Sequence, residues 1–163
     1  MKPEERLGTL LREKRLRLAL AESCTGGLIA SRITDVAGSS DYFEAGVVVY
    51  SNRAKETFLS VPAESIQAHG AVSREVAQKM AEGVRAATGA DIGLSVTGIA
   101  GPTGGSPEKP VGTVYIGLAA KAGAQAVTAV RKFQFSGGRL DIKNQTSTEA
   151  LQLAIDFLDG RTV

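Results

Sequence analysis

One cysteine, Cys24, and one histidine, His69, are all the sequence offers of the residue types that build disulfides and zinc centres. A lone thiol excludes an internal disulfide, and with a single imidazole it excludes a Cys/His zinc site. No apolar run approaches the ~20 residues needed to span a bilayer, and glycines interrupt those present. An excess of charge of one sign is also lacking, with 19 basic residues against 17 acidic and a net charge of +2. That balance, without a Lys/Arg stripe, argues against nucleic acid as a partner and leaves a small or locally anionic ligand. Charges scattered through Met1–Arg17 deny that segment the apolar core of a signal peptide. The expectation is a cytoplasmic protein with no membrane partner.

What is present is ordinary globular material, 43% hydrophobic and 22% charged over 163 residues. It is enough for one domain, 1–163, with its own core. Leu7, Leu10 and Leu11 recur at helical spacing within Glu4–Lys14. Leu16–Ala21 then reads as a short, half-alternating strand that ends at Glu22-Ser23-Cys24-Thr25-Gly26-Gly27. A helix follows, carrying Leu28, Ile29, Ile33 and Val36 up to Gly38-Ser39-Ser40. Phe43–Tyr50 is the strongest strand signal, with its three valines. Ser51-Asn52 caps a helix to Leu59, and a short helix ends near His69-Gly70. Ser73 caps a third that stops at Gly89. Ile92–Thr97 is a strand, Val111–Ala120 and Ala126–Phe135 form a hairpin around Gly123, and a last helix runs from about Leu140 to Leu158. Alternating strands and helices followed by a hairpin predict an α/β fold, a three-layer α/β/α sandwich with a mixed sheet of about five strands.

Three features with chemical potential each follow a strand, where open α/β sheets collect their ligands. Ser23 sits at a strand-to-helix turn, and Gly26-Gly27 allow close backbone approach. Amides at such a helix start suit an anion or an oxyanion. Taken alone, the spacing favours Ser23 or Thr25 as no more than an N-cap. Cys24 is the rival nucleophile, since a helix start acidifies a thiol, although a small buried thiol is the commoner case. Next come Tyr50, Asn52 and Lys55. A desolvated lysine can deprotonate a serine, and a tyrosine can pass that proton or polarise the substrate; otherwise Lys55 is a solvated surface residue. The Tyr–Lys spacing is one longer than in short-chain dehydrogenases, whose Gly-rich fingerprint is absent. Third is the segment Thr97-Gly98-Ile99-Ala100-Gly101-Pro102-Thr103-Gly104-Gly105-Ser106, able to turn amides toward phosphate or ribose oxygens but lacking a P-loop ending. Arg139, after Ser136-Gly137-Gly138, can grip a phosphate bidentately.

Taken together, Ala21-Glu22-Ser23-Cys24-Thr25-Gly26-Gly27, Tyr50-Ser51-Asn52 through Lys55, His69-Gly70-Ala71-Val72-Ser73, Thr97–Pro102 with Gly104-Gly105-Ser106, and Phe135-Ser136-Gly137 with Arg139 resemble the C-terminal domain of the competence/damage-inducible CinA family. That family includes nicotinamide-nucleotide amidases. The resemblance implies hydrolysis of the carboxamide of nicotinamide mononucleotide without metal or cofactor. It implies Ser23 as nucleophile, Tyr50 and Lys55 as the base system, and a homo-oligomer with a pyridine nucleotide as its small-molecule partner. Thr25, Gly26, Gly27, Asn52, Thr97, Gly98, Ile99, Ala100, Gly101, Gly104, Gly105 and Arg139 are the expected substrate contacts. Lys143 and Asn144 stand where the family pattern has other basic residues. The alternative is a non-catalytic nucleotide-binding module, which would need the glycine-rich turns but not Ser23 together with Lys55.

Overall fold

The computed structural model describes residues 1–163, the side chain of Ala122 excepted. Its elements run α1 (Pro3–Lys14), β1 (Leu18–Glu22), α2 (Leu28–Thr34), a 3-10 turn (Ser39–Asp41), β2 (Phe43–Val48), α3 (Asn52–Leu59), α4 (Ala63–His69), α5 (Arg74–Thr88), β3 (Ile92–Gly98), β4 (Thr113–Ala122), β5 (Gln125–Gln134) and α6 (Arg139–Leu158). Local chemistry sets the ends. Pro3 and two glutamates open α1, where a missing N–H and negative charge are both tolerated. The Ser73 hydroxyl accepts the Val76 amide at the start of α5, and Gly89 ends that helix at φ 71°.

The five strands lie in the order β2-β1-β3-β4-β5. β1 pairs in parallel with both β2 and β3, while β3–β4 and β4–β5 are antiparallel. The mixed three-layer sandwich expected from the sequence is what forms. From β1 the chain crosses through α2 to β2 on one side; it then returns through α3–α5, past β1, to β3 on the other. Because parallel crossovers keep one hand, the two journeys put their helices on opposite faces. The chain therefore reverses its direction of travel at β1, which makes the carboxyl ends of β1, β2 and β3 the natural ligand position.

Period-two alternation sorts the core. Leu18 and Leu20 of β1, with Ile92, Leu94 and Val96 of β3, face α1, α2 and α6. Ala19 and Ala21 face the other layer, with Val76, Met80 and Val84 of α5. All of β1 is buried, a central strand covered on both sides. On the α5 side, the sheet is built from small residues. A Cβ at Gly93 would run into the Ala81 carbonyl, one at Gly117 would come within 2.6 Å of the Ala77 carbonyl, and the Ser95 hydroxyl donates to Ala77 O at 2.6 Å. Helix α5 is thus seated backbone against backbone on β3 and β4. No helix of the described residues is long and apolar enough to cross a membrane.

Several boundaries differ from the sequence reading, most of them by one or two residues. Helix α2 stops at Thr34, short of Val36. β2 stops at Val48, after which the Val49 amide bonds Glu22 O and the chain turns away. β4 begins at Thr113 because Gly112 holds φ 93° and Val111 packs into the preceding loop.

Candidate active site

Ser23 follows β1 directly, and its amide still bonds Val96 O of β3, so it keeps the strand's alternation. In phase with Ala19 and Ala21, its side chain points to the α3 face. On that face α3 buries Lys55 and Leu59, one turn apart. Lys55 is 1% exposed and Ser23 8%, and Lys55 Nζ lies 3.1 Å from Ser23 Oγ. The ammonium also donates to Val49 O at 3.0 Å and, weakly, to Tyr50 O at 3.5 Å. No carboxylate is among these partners. Burial lowers the Lys55 pKa from its ordinary 10.5, only partly opposed by the Cys24 thiolate charge. The structure therefore brings the expected hydroxyl and amine into direct contact, and Lys55 is not the solvated residue its type suggests.

The neighbouring Cys24 is buried, and desolvation pushes its thiol up to about 11, the opposite of an activated nucleophile.

Glu22 was not singled out by the sequence, yet it organises this turn. It is 1% exposed, and its carboxylate accepts the Thr25 hydroxyl (2.6 Å) and the amides of Gly27 (3.2 Å), Ile29 (3.0 Å) and Ala30 (2.9 Å). The positive end of α2 is thereby satisfied from inside the protein. This corrects part of the expected ligand cradle. Thr25 turns its hydroxyl inward, the Gly26 amide bonds Ser23 O, and the Gly27 amide is taken by Glu22. Their glycine character serves the backbone, with φ 62° at Gly26 and 101° at Gly27. Among the described residues, the amides left without an intramolecular partner in this turn are those of Cys24 and Thr25. The signal available in sequence was an acidic residue before a helix start.

Around Ser23 and Lys55 opens a cleft of about 650 Å³, its solvent mouth included, lined also by Cys24, Tyr50, Asn52, Ala71, Val72, Thr97, Gly98, Ile99, Ala100, Gly104 and Arg139. Counted without its open solvent the cleft holds about 250 Å³, just under the ~300–1,000 Å³ of small-ligand sites. Ala71 and Val72 belong to the turn before α5, which the Thr97 hydroxyl anchors by donating to Ala71 O at 2.8 Å. Sequence reasoning quoted those two residues without giving them a place in the site. Besides Thr25, Gly26 and Gly27, two more expected contacts fall outside the lining: Gly101 and Gly105 face Val111, where a Cβ would clash at 2.7 Å in the case of Gly105 and closer still at Gly101. Gly101 contributes its carbonyl instead, which accepts Arg139 Nη1 at 2.7 Å.

Tyr50 is placed differently from a relay between Ser23 and Lys55. Its hydroxyl accepts Arg139 Nη2 at 2.9 Å, at the exposed mouth of the cleft. The lining contains no acidic side chain, and Lys143 lies a turn beyond Arg139 on α6, its amine near Gly26. The mouth is cationic.

A family model described as the CinA C-terminal domain matches residues 1–158. The chain is 58% identical over 148 residues to a CinA-like protein of Citrifermentans bemidjiense, covering 91% of this chain and 35% of that protein. To a putative competence-damage inducible protein of Caldanaerobacter subterraneus it is 50% identical, covering 98% and 38%. It thus spans little more than a third of the length of these curated relatives. Among solved structures, the competence/damage inducible protein CihA from Agrobacterium tumefaciens superposes with a TM-score of 0.91 at 39% identity, covering 96% of this chain and 93% of that one. A CinA superfamily protein from Klebsiella pneumoniae gives 0.89 at 32% identity, covering 98% and 99%.

Proposed function

Because the chain belongs to the CinA C-terminal domain family, we propose that its single domain hydrolyses the carboxamide of nicotinamide mononucleotide, giving nicotinic acid mononucleotide and ammonia. The observation that carries the reading is the 3.1 Å contact between a buried lysine amine and a serine hydroxyl at the floor of an open cleft. A non-catalytic binding module has no use for a desolvated amine held against a hydroxyl.

The hydrogen-bond count suits general-base work. A neutral amine has two N–H bonds and one lone pair; Val49 O and Tyr50 O can take the two N–H bonds, which leaves the lone pair for the Ser23 proton. Ser23 Oγ attacks the carboxamide carbon as Lys55 takes its proton. The oxyanion is met by the unpartnered amides of Cys24 and Thr25, the geometry in which such donors contribute ~3 kcal/mol each. Collapse of the tetrahedral species breaks the C–N bond, the Lys55 proton goes to the leaving nitrogen, and ammonia departs. Water then attacks the acyl-enzyme, losing a proton to Lys55, and the acid leaves as Ser23 regains its hydrogen. No step asks for a cofactor. The cationic mouth suits the phosphate of the nucleotide, with Arg139 and Lys143 nearest to hand, and the 98–104 backbone suits the ribose. A homo-oligomer working in the cytoplasm completes the reading.

The test is ammonia release by the purified protein from a panel of pyridine nucleotides. Turnover of the mononucleotide supports the reading; binding without turnover would leave a nucleotide-binding module.

A further inference from the structure

Tyr50 touches both ends of the cleft by different atoms. Its carbonyl, with that of Val49, faces the Lys55 amine; its hydroxyl holds Arg139. Arg139 is otherwise exposed at the start of α6, and a flexible guanidinium there would pay rotamer entropy each time it closed on an anion. Two contacts remove that freedom: Nη1 donates to Gly101 O at 2.7 Å and Nη2 to the Tyr50 oxygen at 2.9 Å. Of a guanidinium's five N–H donors only these are engaged, so an edge remains for an anion. The Tyr50 oxygen accepts from Arg139, so its own proton is directed elsewhere and can join the same anion.

We infer that Tyr50 is a positioning residue, which presents Arg139 to the anionic group of the ligand at a fixed reach from the Ser23–Lys55 pair. The inference rests on the amidase reading for its substrate and departs from it by removing Tyr50 from the proton path. A residue that fixes a ligand's remote group acts on binding; a proton relay acts on the chemical step and on its pH dependence.

The experiment combines Tyr50→Phe, Arg139→Met and the double variant, with kinetics on nicotinamide mononucleotide and calorimetric titration of the same compound. Tyr50→Phe keeps the carbonyl that faces Lys55. Loss of one solvent-exposed hydrogen bond predicts KM and Kd raised about threefold to tenfold, kcat within about twofold, and an unmoved basic limb in the pH profile. In the Arg139→Met background the tyrosine substitution should then add nothing, since the two act as one unit. A large fall in kcat with a shifted pH limb would make Tyr50 a relay, and multiplicative effects of the two substitutions would make it independent of Arg139; either overturns the inference. Binding without turnover by the unmodified protein refutes the amidase reading alone, because the titration arms still decide whether Tyr50 acts through Arg139. If the unmodified protein neither binds nor turns over the mononucleotide, both fall.

Discussion

Glu22 and Ser23 are consecutive in the chain and serve opposite faces of the sheet. The strand alternation that carries Leu18 and Leu20 to one layer and Ala19 and Ala21 to the other delivers the Glu22 carboxylate to the start of α2 and the Ser23 hydroxyl to Lys55. A shift of one residue in β1 would exchange them, leaving a carboxylate beside the lysine and a helix start without its acceptor.

Ser23→Ala should leave the fold intact and reduce ammonia release from nicotinamide mononucleotide by about a thousandfold or more, with Lys55→Met similar, since nucleophile and base act as a unit. Circular dichroism and a coupled ammonia assay check both. Near-normal turnover in the serine variant would remove Ser23 from the chemistry.

Lys55 also shapes stability against pH. The unfolded chain keeps the lysine proton to about the ordinary 10.5, and the folded chain releases it earlier because burial penalises the charge. Between the two values the unfolded state binds more protons, so stability rises with pH there; below both, the fold carries the full cost of burying the ammonium. Relative to Lys55→Met, the native protein should therefore gain in denaturant midpoint as pH climbs toward 10.5. Activity should rise with pH through the same depressed pKa, because the base must be unprotonated. Parallel stability curves for the two proteins would contradict this.

Glu22→Ala strands the Thr25 hydroxyl and three amides in a buried turn. At ~1–3 kcal/mol for a lost buried partner, a loss of about 3 kcal/mol or more is expected from urea unfolding. Glu22→Gln, which keeps one acceptor oxygen, should fall between. Unfolding curves that coincide with the unmodified protein's would mean the carboxylate does not hold the turn.

For Cys24, a rise from 9.0 to about 11 lowers the thiolate fraction about a hundredfold near neutrality, since thiolate is the reacting form. Labelling by iodoacetamide at pH 7, followed by mass spectrometry, should be slower than for an unshifted thiol by at least that factor. Rapid labelling would mean an accessible thiolate at the cleft.

Much of the architecture could be read from periodicity and punctuation. The order along the chain of the strands and principal helices, the capping roles of Ser51 and Ser73, and the hairpin around Gly123 follow from local rules, as does the placing of Ser23, Tyr50 and Gly98 at strand ends. What escaped is what depends on pairing across the chain. Glu22 read as the end of a strand because its helix partners lie five to eight residues on, beyond a turn whose shape no propensity gives. Tyr50 read as a relay because its sequence neighbour is Lys55; its actual partner, Arg139, is 89 residues away. Gly101 and Gly105 read as ligand cradles because a glycine needed for packing on Val111 looks the same in sequence as one needed for a phosphate.

The seating of α5 on bare backbone has a mechanical outcome. With Gly93 and Gly117 leaving no side-chain cushion between helix and sheet, α5 cannot settle closer, and the Ala71–Val72 turn that leads into it and lines the cleft has little compliance. On the other side of the mouth the segment 102–108 is exposed throughout. Ligands of differing bulk would find room there, and a substituent directed at the Ala71–Val72 turn would be refused whatever its charge.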